Sequence, residues 1–139
     1  MIILEEKNLT EKQEELINLI KKEFKDANKY IGWEKTINKT IVNQNDEIVL
    51  SAYISNQSSI YYNYKIDMTA TISDLNVKIS IYTETAASNG DPYCGRGMIR
   101  SKKDYNFNKN LTEFKNNKEI VEYIKSIFYK HYFNIESRN

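Results

Sequence analysis

Ile60-Tyr61-Tyr62-Asn63-Tyr64-Lys65-Ile66-Asp67-Met68-Thr69-Ala70-Thr71-Ile72 is the stretch whose reading decides the fold. Ile60, Tyr62, Tyr64, Ile66, Met68, Ala70 and Ile72 fall on one parity. Tyr61, Asn63, Lys65, Asp67, Thr69 and Thr71 fall on the other. Successive side chains of a strand point to opposite faces, so this alternation predicts a strand with one apolar face and one wet face. The same period flanks it on both sides. Ile48, Leu50, Ala52 and Ile54 alternate with Val49, Ser51 and Tyr53, and Leu75, Val77, Ile79 and Ile81 alternate with Asn76, Lys78, Ser80 and Tyr82. Residues 36–42 form a weaker strand. The connections at 43–46, 56–59 and 73–76 are short and rich in Asn, Asp and Ser. Such short connections join antiparallel neighbours, which makes the strands a meander.

Helical signals enclose the meander. Thr10-Glu11-Lys12-Gln13 has the form of a capping box, and Leu16, Ile20, Phe24 and Ala27 follow at helical spacing, flanked by Ile17 and Ile31. The pattern predicts a helix running to Tyr30, just before Gly32. Asn116-Asn117-Lys118-Glu119 opens a second helix, with Ile120, Ile124, Ile127, Phe128 and His131 on one face, and the last residues from about 136 fray. Residues 98–102 fit a fifth strand paired with 79–84, whereas 104–115 show no clear period. The expected fold is one α+β domain over residues 1–139. It is a two-layer sandwich in which an antiparallel meander of four or five strands carries an N-terminal and a C-terminal helix on one face. The order of one helix followed by a meander is similar in topology to cystatin-like and helix-grip domains.

Composition narrows the function classes. The 139-residue chain has a net charge of +1 and a pI near 7.7. It therefore has no strong overall field of the kind that steers nucleic-acid binders. Lysine outnumbers arginine 17 to 3, and Asn, Ile and Tyr are abundant. Their A/T-rich codons point to an A/T-rich genome, so part of the lysine and tyrosine content is genomic bias. The single cysteine, Cys94, excludes an intramolecular disulfide and suits a reducing compartment. No apolar run approaches the roughly 18 residues of a membrane span, and the short apolar start is followed by Glu5 and Glu6, unlike a signal peptide. These features give the expectation of a cytoplasmic protein without membrane partners.

Residues 88–103 differ from the rest of the chain. They hold the only proline, Pro92, the only cysteine, three of the four glycines (Gly90, Gly95, Gly97) and two of the three arginines. Gly95-Arg96-Gly97 has the backbone freedom for an anion nest, but it lacks the Lys-Ser/Thr ending of a P-loop. Cys94 has cationic neighbours, yet thiol catalysis also needs a positioned base. The only histidine, His131, lies on the apolar stripe of the second helix, where a packed role is the plainer reading. One Cys and one His cannot make the usual zinc site. Glu113-Phe114-Lys115, with Asp104 upstream, has the form of a nuclease motif, but such matches arise by chance among 17 lysines.

These readings give the expectation of a non-enzymatic protein with no cofactor and no metal site. It would act by covering the surface of a protein or ribonucleoprotein complex. One setting is an inhibitor of a bacterial defence complex, of the anti-CRISPR type, from an A/T-rich bacterium or mobile element; a toxin-immunity protein is a related one. The contacts are assigned to a loop in which Tyr93 and Arg96 anchor and Arg100, Lys102 and Lys103 add charge. The alternative is nucleic-acid binding by the polar sheet face, through Tyr53, Tyr61, Lys65, Lys78 and Tyr82. Asp67 on the same face counts against it.

Overall fold

The computed structural model describes residues 9–56, 62–88 and 98–136. Within them, α1 (Glu11–Glu23) is followed by β1 (Ala27–Ile31), β2 (Glu34–Val42), β3 (Ile48–Asn56), β4 (Tyr62–Ile72), β5 (Asn76–Ser88) and β6 (Met98–Asn110). A 3-10 turn at Leu111–Glu113 leads into α2 (Asn117–Glu136). All strand pairs are antiparallel, and strand order follows chain order. The α+β two-layer arrangement is the expected one, but the described meander has six strands rather than four or five.

The extra strand at the start comes at the expense of the predicted first helix. The capping box forms as expected: the Gln13 backbone N–H donates to Thr10 Oγ1, and the Thr10 N–H donates to Gln13 Oε1. Leu16, Ile20 and Phe24 are buried on the helical stripe. The helix nevertheless ends at Glu23, not Tyr30, and Phe24 leaves helical geometry at φ −123°. Asp26 and Asn28 are short polar residues that compete for backbone hydrogen bonds and favour helix ends. The Asp26 carboxylate accepts the Thr40 N–H just beyond the point where β1 stops pairing with β2. Ala27 to Ile31 then gain a full ladder with β2. A two-residue turn, Gly32-Trp33, closes this hairpin. Gly32 has φ +61°, while Trp33 is not left-handed, the pattern of a type II′ turn.

The other end of the meander also differs from expectation. Residues 104–110 continue β6, and Met98 pairs with Ser88, so 98–102 lie opposite 84–88 rather than 79–84. Leu75, expected on the core face, sits in the β4–β5 turn and is 74% exposed. Ser73 Oγ accepts the N–H groups of Leu75 and Asn76 and so fixes that turn.

One sheet face carries the core. Leu50, Ala70 and Ile79 lie side by side in register, as do Ala52, Met68 and Ile81, and none exceeds 1% exposure. α1 covers β2 and β3, and α2 covers β4 and β5. Asn117 Nδ2 bonds Glu15 and Lys125 Nζ bonds Glu23, at 3.2 and 3.1 Å. Both pairs have the same sequence offset, so the helices run parallel. The hydrogen bond to Glu23 raises the Lys125 pKa above the ordinary lysine value. Phe24 closes the interhelical seam, edge-on to Phe128 at 5.7 Å and stacked on Tyr129 at 6.1 Å.

Phe24→Ala removes the centre of that seam. It is expected to destabilise the fold by about 3–5 kcal/mol, read as a lowered denaturation midpoint at unchanged slope; a loss of less than about 1 kcal/mol would contradict the packing described. Thr40 is also buried, and its Oγ1 has no hydrogen-bond partner among the described residues. Thr40→Val keeps the shape and removes the stranded hydroxyl, so it is expected to leave stability unchanged or raise it by about 1 kcal/mol in the same assay.

Candidate functional site

The two-residue hairpin sets three of the four exposed large apolar side chains of the described structure close together. Tyr30 is 67% exposed, Ile31 66% and Trp33 71%. Tyr30 and Ile31 alternate across β1, so Tyr30 stands on the outer sheet face and Ile31 on the helix side, with Trp33 between them at the tip. Lys35 is opposite Tyr30 in register, and its Nζ lies 5.3 Å from the Tyr30 ring centroid. A hydrogen bond to Tyr30 raises the Lys35 pKa above its ordinary value, with the charges of Tyr30 and then Tyr53 adding to it. Lys35 therefore stays cationic throughout the neutral range.

From this hairpin the outer face extends in cross-strand rows. One row runs Tyr30, Lys35, Ser55, Lys65, Glu84, Lys102; the next runs Asn28, Ile37, Tyr53, Asp67, Tyr82, Asp104. The expected face residues Tyr53, Lys65, Lys78 and Tyr82 thus do share one side of the sheet. Lys78 is remote from the others, four residues along β5 from Tyr82, or about 13 Å at strand rise. Tyr61 lies outside the described residues.

Acid interrupts this face. Tyr82 donates to Glu84 Oε1 at 2.6 Å, and Lys65 Nζ lies 4.0 Å from the same oxygen and 5.6 Å from the Tyr82 ring centroid. Glu84 therefore engages both the aromatic and the cationic residue that base stacking and phosphate contact would use. Asp67 and Asp104 flank Tyr82 in register.

The expected contact loop divides. Tyr93 and Arg96 lie outside the described residues, as does Cys94. Arg100, Lys102 and Lys103 are not in a loop but on β6. Lys102 pairs with Glu84 on the outer face, while Lys103 pairs with Thr83 on the helix side, so the two lysines point to opposite faces. The strand ends that bracket residues 57–61 and 89–97 nonetheless lie at the same end of the sheet as the Gly32-Trp33 turn, because β1–β2, β3–β4 and β5–β6 all connect there.

The catalytic candidates disperse. His131 is half-buried, its Nδ1–H donates to the Ile127 carbonyl at 2.8 Å, and its ring packs 4.5 Å from that of Tyr105 and 5.9 Å from that of Phe107. Glu113 sits in the 3-10 turn, where its carboxylate accepts the Asn110 N–H, while Asp104 is on the outer face of β6. Among the described residues, no group of three or more His, Cys, Asp or Glu side chains is placed to hold a metal ion. Among the described residues, no helix is long and apolar enough to cross a membrane.

Sequence reasoning missed Tyr30, Ile31, Trp33 and Lys35, because Tyr30 and Ile31 were read as the end of the first helix, and Trp33 and Lys35 fell between it and the strand expected at 36–42. The signal was present in Gly32-Trp33, a Gly-x pair between Tyr30-Ile31 and the strand formers of 36–42. Comparison with protein-family models, with curated proteins and with solved structures returns no match.

Proposed function

We propose that this chain is a non-enzymatic protein-binding module that grips its partner with the hairpin end of the sheet. The observation that carries this reading is the group Tyr30, Ile31 and Trp33, each about two thirds exposed or more on a short, ladder-held hairpin. An isolated exposed residue such as Leu75 needs no explanation, but adjacent large apolar side chains on a rigid element mark contact surfaces. Trp and Tyr are over-represented among residues that dominate binding energy. A short turn also limits the ordering entropy lost on association.

Lys29 and Lys35 border the group, so the matching partner surface is an apolar recess with an acidic rim. The strand ends Ser88 and Met98 lie at this end of the sheet, and Tyr93 and Arg96, between them in sequence, are assigned to the same contact. Within this reading, the partner belongs to a protein or ribonucleoprotein complex. The A/T-rich composition and small size favour a bacterial defence complex that the chain would inhibit. Glu84, Asp67 and Asp104 on the outer face favour a protein partner over nucleic acid.

The test is quantitative co-purification on the tagged chain, comparing wild type with Tyr30→Ala/Trp33→Ala and with Tyr93→Ala/Arg96→Ala. The hairpin variant is expected to bind about a thousandfold more weakly, since two such residues contribute roughly 2 kcal/mol each at a contact centre. A hairpin variant that keeps its melting temperature and its full partner set would overturn the assignment. Capture that disappears steeply with salt and with nuclease treatment would favour the nucleic-acid alternative.

A further inference from the structure

The two edges of the sheet carry different side chains. β6 forms one edge, where Lys102, Lys103 and Asp104 are exposed and Lys109 follows. Charged side chains of this kind keep an edge strand from pairing with another chain. β1 forms the other edge, and in its short run Lys29 is the one charged residue. Asn28 to Ile31 are all exposed, and Tyr30, Ile31 and Trp33 cluster where this edge meets the turn.

The ladder fixes which backbone groups the β1 edge leaves open. In a two-residue hairpin the residues flanking the turn are hydrogen-bonded to each other, and hydrogen-bonded positions then alternate along the antiparallel pair. Ile31 with Glu34, Lys29 with Thr36 and Ala27 with Asn38 therefore turn their N–H and C=O groups toward one another. Thr40, the next β2 residue in that series, agrees with this phase: its N–H points to the same side, where the Asp26 carboxylate accepts it. The N–H and C=O groups of Asn28 and Tyr30 face the other way, toward an edge that no described strand covers. They lie beside the exposed apolar side chains, at the alternate-residue spacing with which a further strand pairs.

The side chains narrow the class of strand. Lys29 and Ile31 share the helix-side face, with Tyr30 between them on the outer face. A strand laid antiparallel to β1 matches them with an apolar residue beside Ile31 and, two residues on, an acidic residue beside Lys29. A second copy of β1 offers no such match. The register that joins Asn28 to Tyr30 sets Lys29 against Lys29, and the register centred on Tyr30 sets Lys29 against Ile31. Given the hairpin contact described above, on which this inference rests, we propose that β1 accepts an extended segment of the partner as an added strand. The backbone of that segment pairs with Asn28 and Tyr30, while its apolar and acidic residues meet Ile31 and Lys29.

The test is an amide-resolved NMR titration of the full chain with the capped heptapeptide Ser-Thr-Val-Thr-Glu-Thr-Ser, whose third and fifth residues match Ile31 and Lys29. Saturable shifts centred on Asn28 to Ile31 are expected, with slowed hydrogen exchange at the Asn28 and Tyr30 amides. The same peptide N-methylated at its fourth and sixth residues lacks the N–H groups that would face β1 and is expected not to bind. Lysine in place of its glutamate is expected to weaken binding several-fold. Asn28→Pro removes one open N–H at a place where an edge strand tolerates proline. It is expected to keep the melting temperature and to weaken the peptide about tenfold or more. No saturable shift, equal binding of the N-methylated peptide, or shifts centred on β6 would each overturn the proposal. Concentration-dependent protection of the Asn28 and Tyr30 amides without peptide would also overturn it, in favour of pairing with a second copy. In the co-purification assay, a partner lost by Tyr30→Ala/Trp33→Ala but kept by Asn28→Pro would overturn strand addition alone, whereas a partner kept by both would overturn the hairpin contact as well.

Discussion

The structure depends on the one-sidedness of its sheet. A six-stranded antiparallel meander with Leu50, Ala52, Ile66, Met68, Ala70, Ile79 and Ile81 on one face cannot leave that face in water. Each of the larger side chains among them contributes roughly 1.5–3 kcal/mol only when something covers it. The cover is a pair of parallel helices locked to one another by Phe24, Phe128 and Tyr129. Alanines at 52 and 70, both fully buried, sit in register beside Met68 and Leu50 and provide the low points over which helical side chains pack.

That constraint also orders the two ends of the molecule. Covering the sheet with parallel helices places both helix N-termini over the β2–β3 and β4–β5 turns, where a cleft forms around Asn117. The opposite end receives the β1–β2 hairpin and the strand ends bracketing 57–61 and 89–97. Nothing in the core requires Tyr30, Ile31 or Trp33, whose apolar side chains stay exposed at this end.

Much of the fold was legible in sequence because a period of two is hard to mimic by chance over a run as long as 60–72. The core faces of β3, β4 and β5 follow from it, and both helix starts follow from the capping patterns at Thr10 and Asn116. The first helix was over-extended because Ala27 and Ile31 fall at helical spacing after Phe24, and periodicity alone cannot weigh that continuation against a ladder with a later strand. Leu75 shows the same limit: its parity matches Val77, but the Ser73 side chain claims its backbone for a turn. The site was less legible still. The parity of Tyr53, Lys65, Lys78 and Tyr82 placed them on one face correctly, whereas the engagement of Lys65 and Tyr82 by Glu84 depends on side-chain reach within and across strands. Lys102 and Lys103, adjacent in sequence, were grouped as one basic contact until β6 placed them on opposite faces.

Trp33 is the only tryptophan in the chain, so its fluorescence reports the hairpin without interference. Acrylamide quenching of the free, monomeric protein tests the central claim most directly. The account predicts that Trp33 emits as a water-exposed indole and is quenched nearly as readily as a free tryptophan amide. It further predicts a blue shift and protection once the partner is bound. A blue-shifted, quencher-protected emission in the free protein would contradict it, because the hairpin would then already be covered by the chain itself.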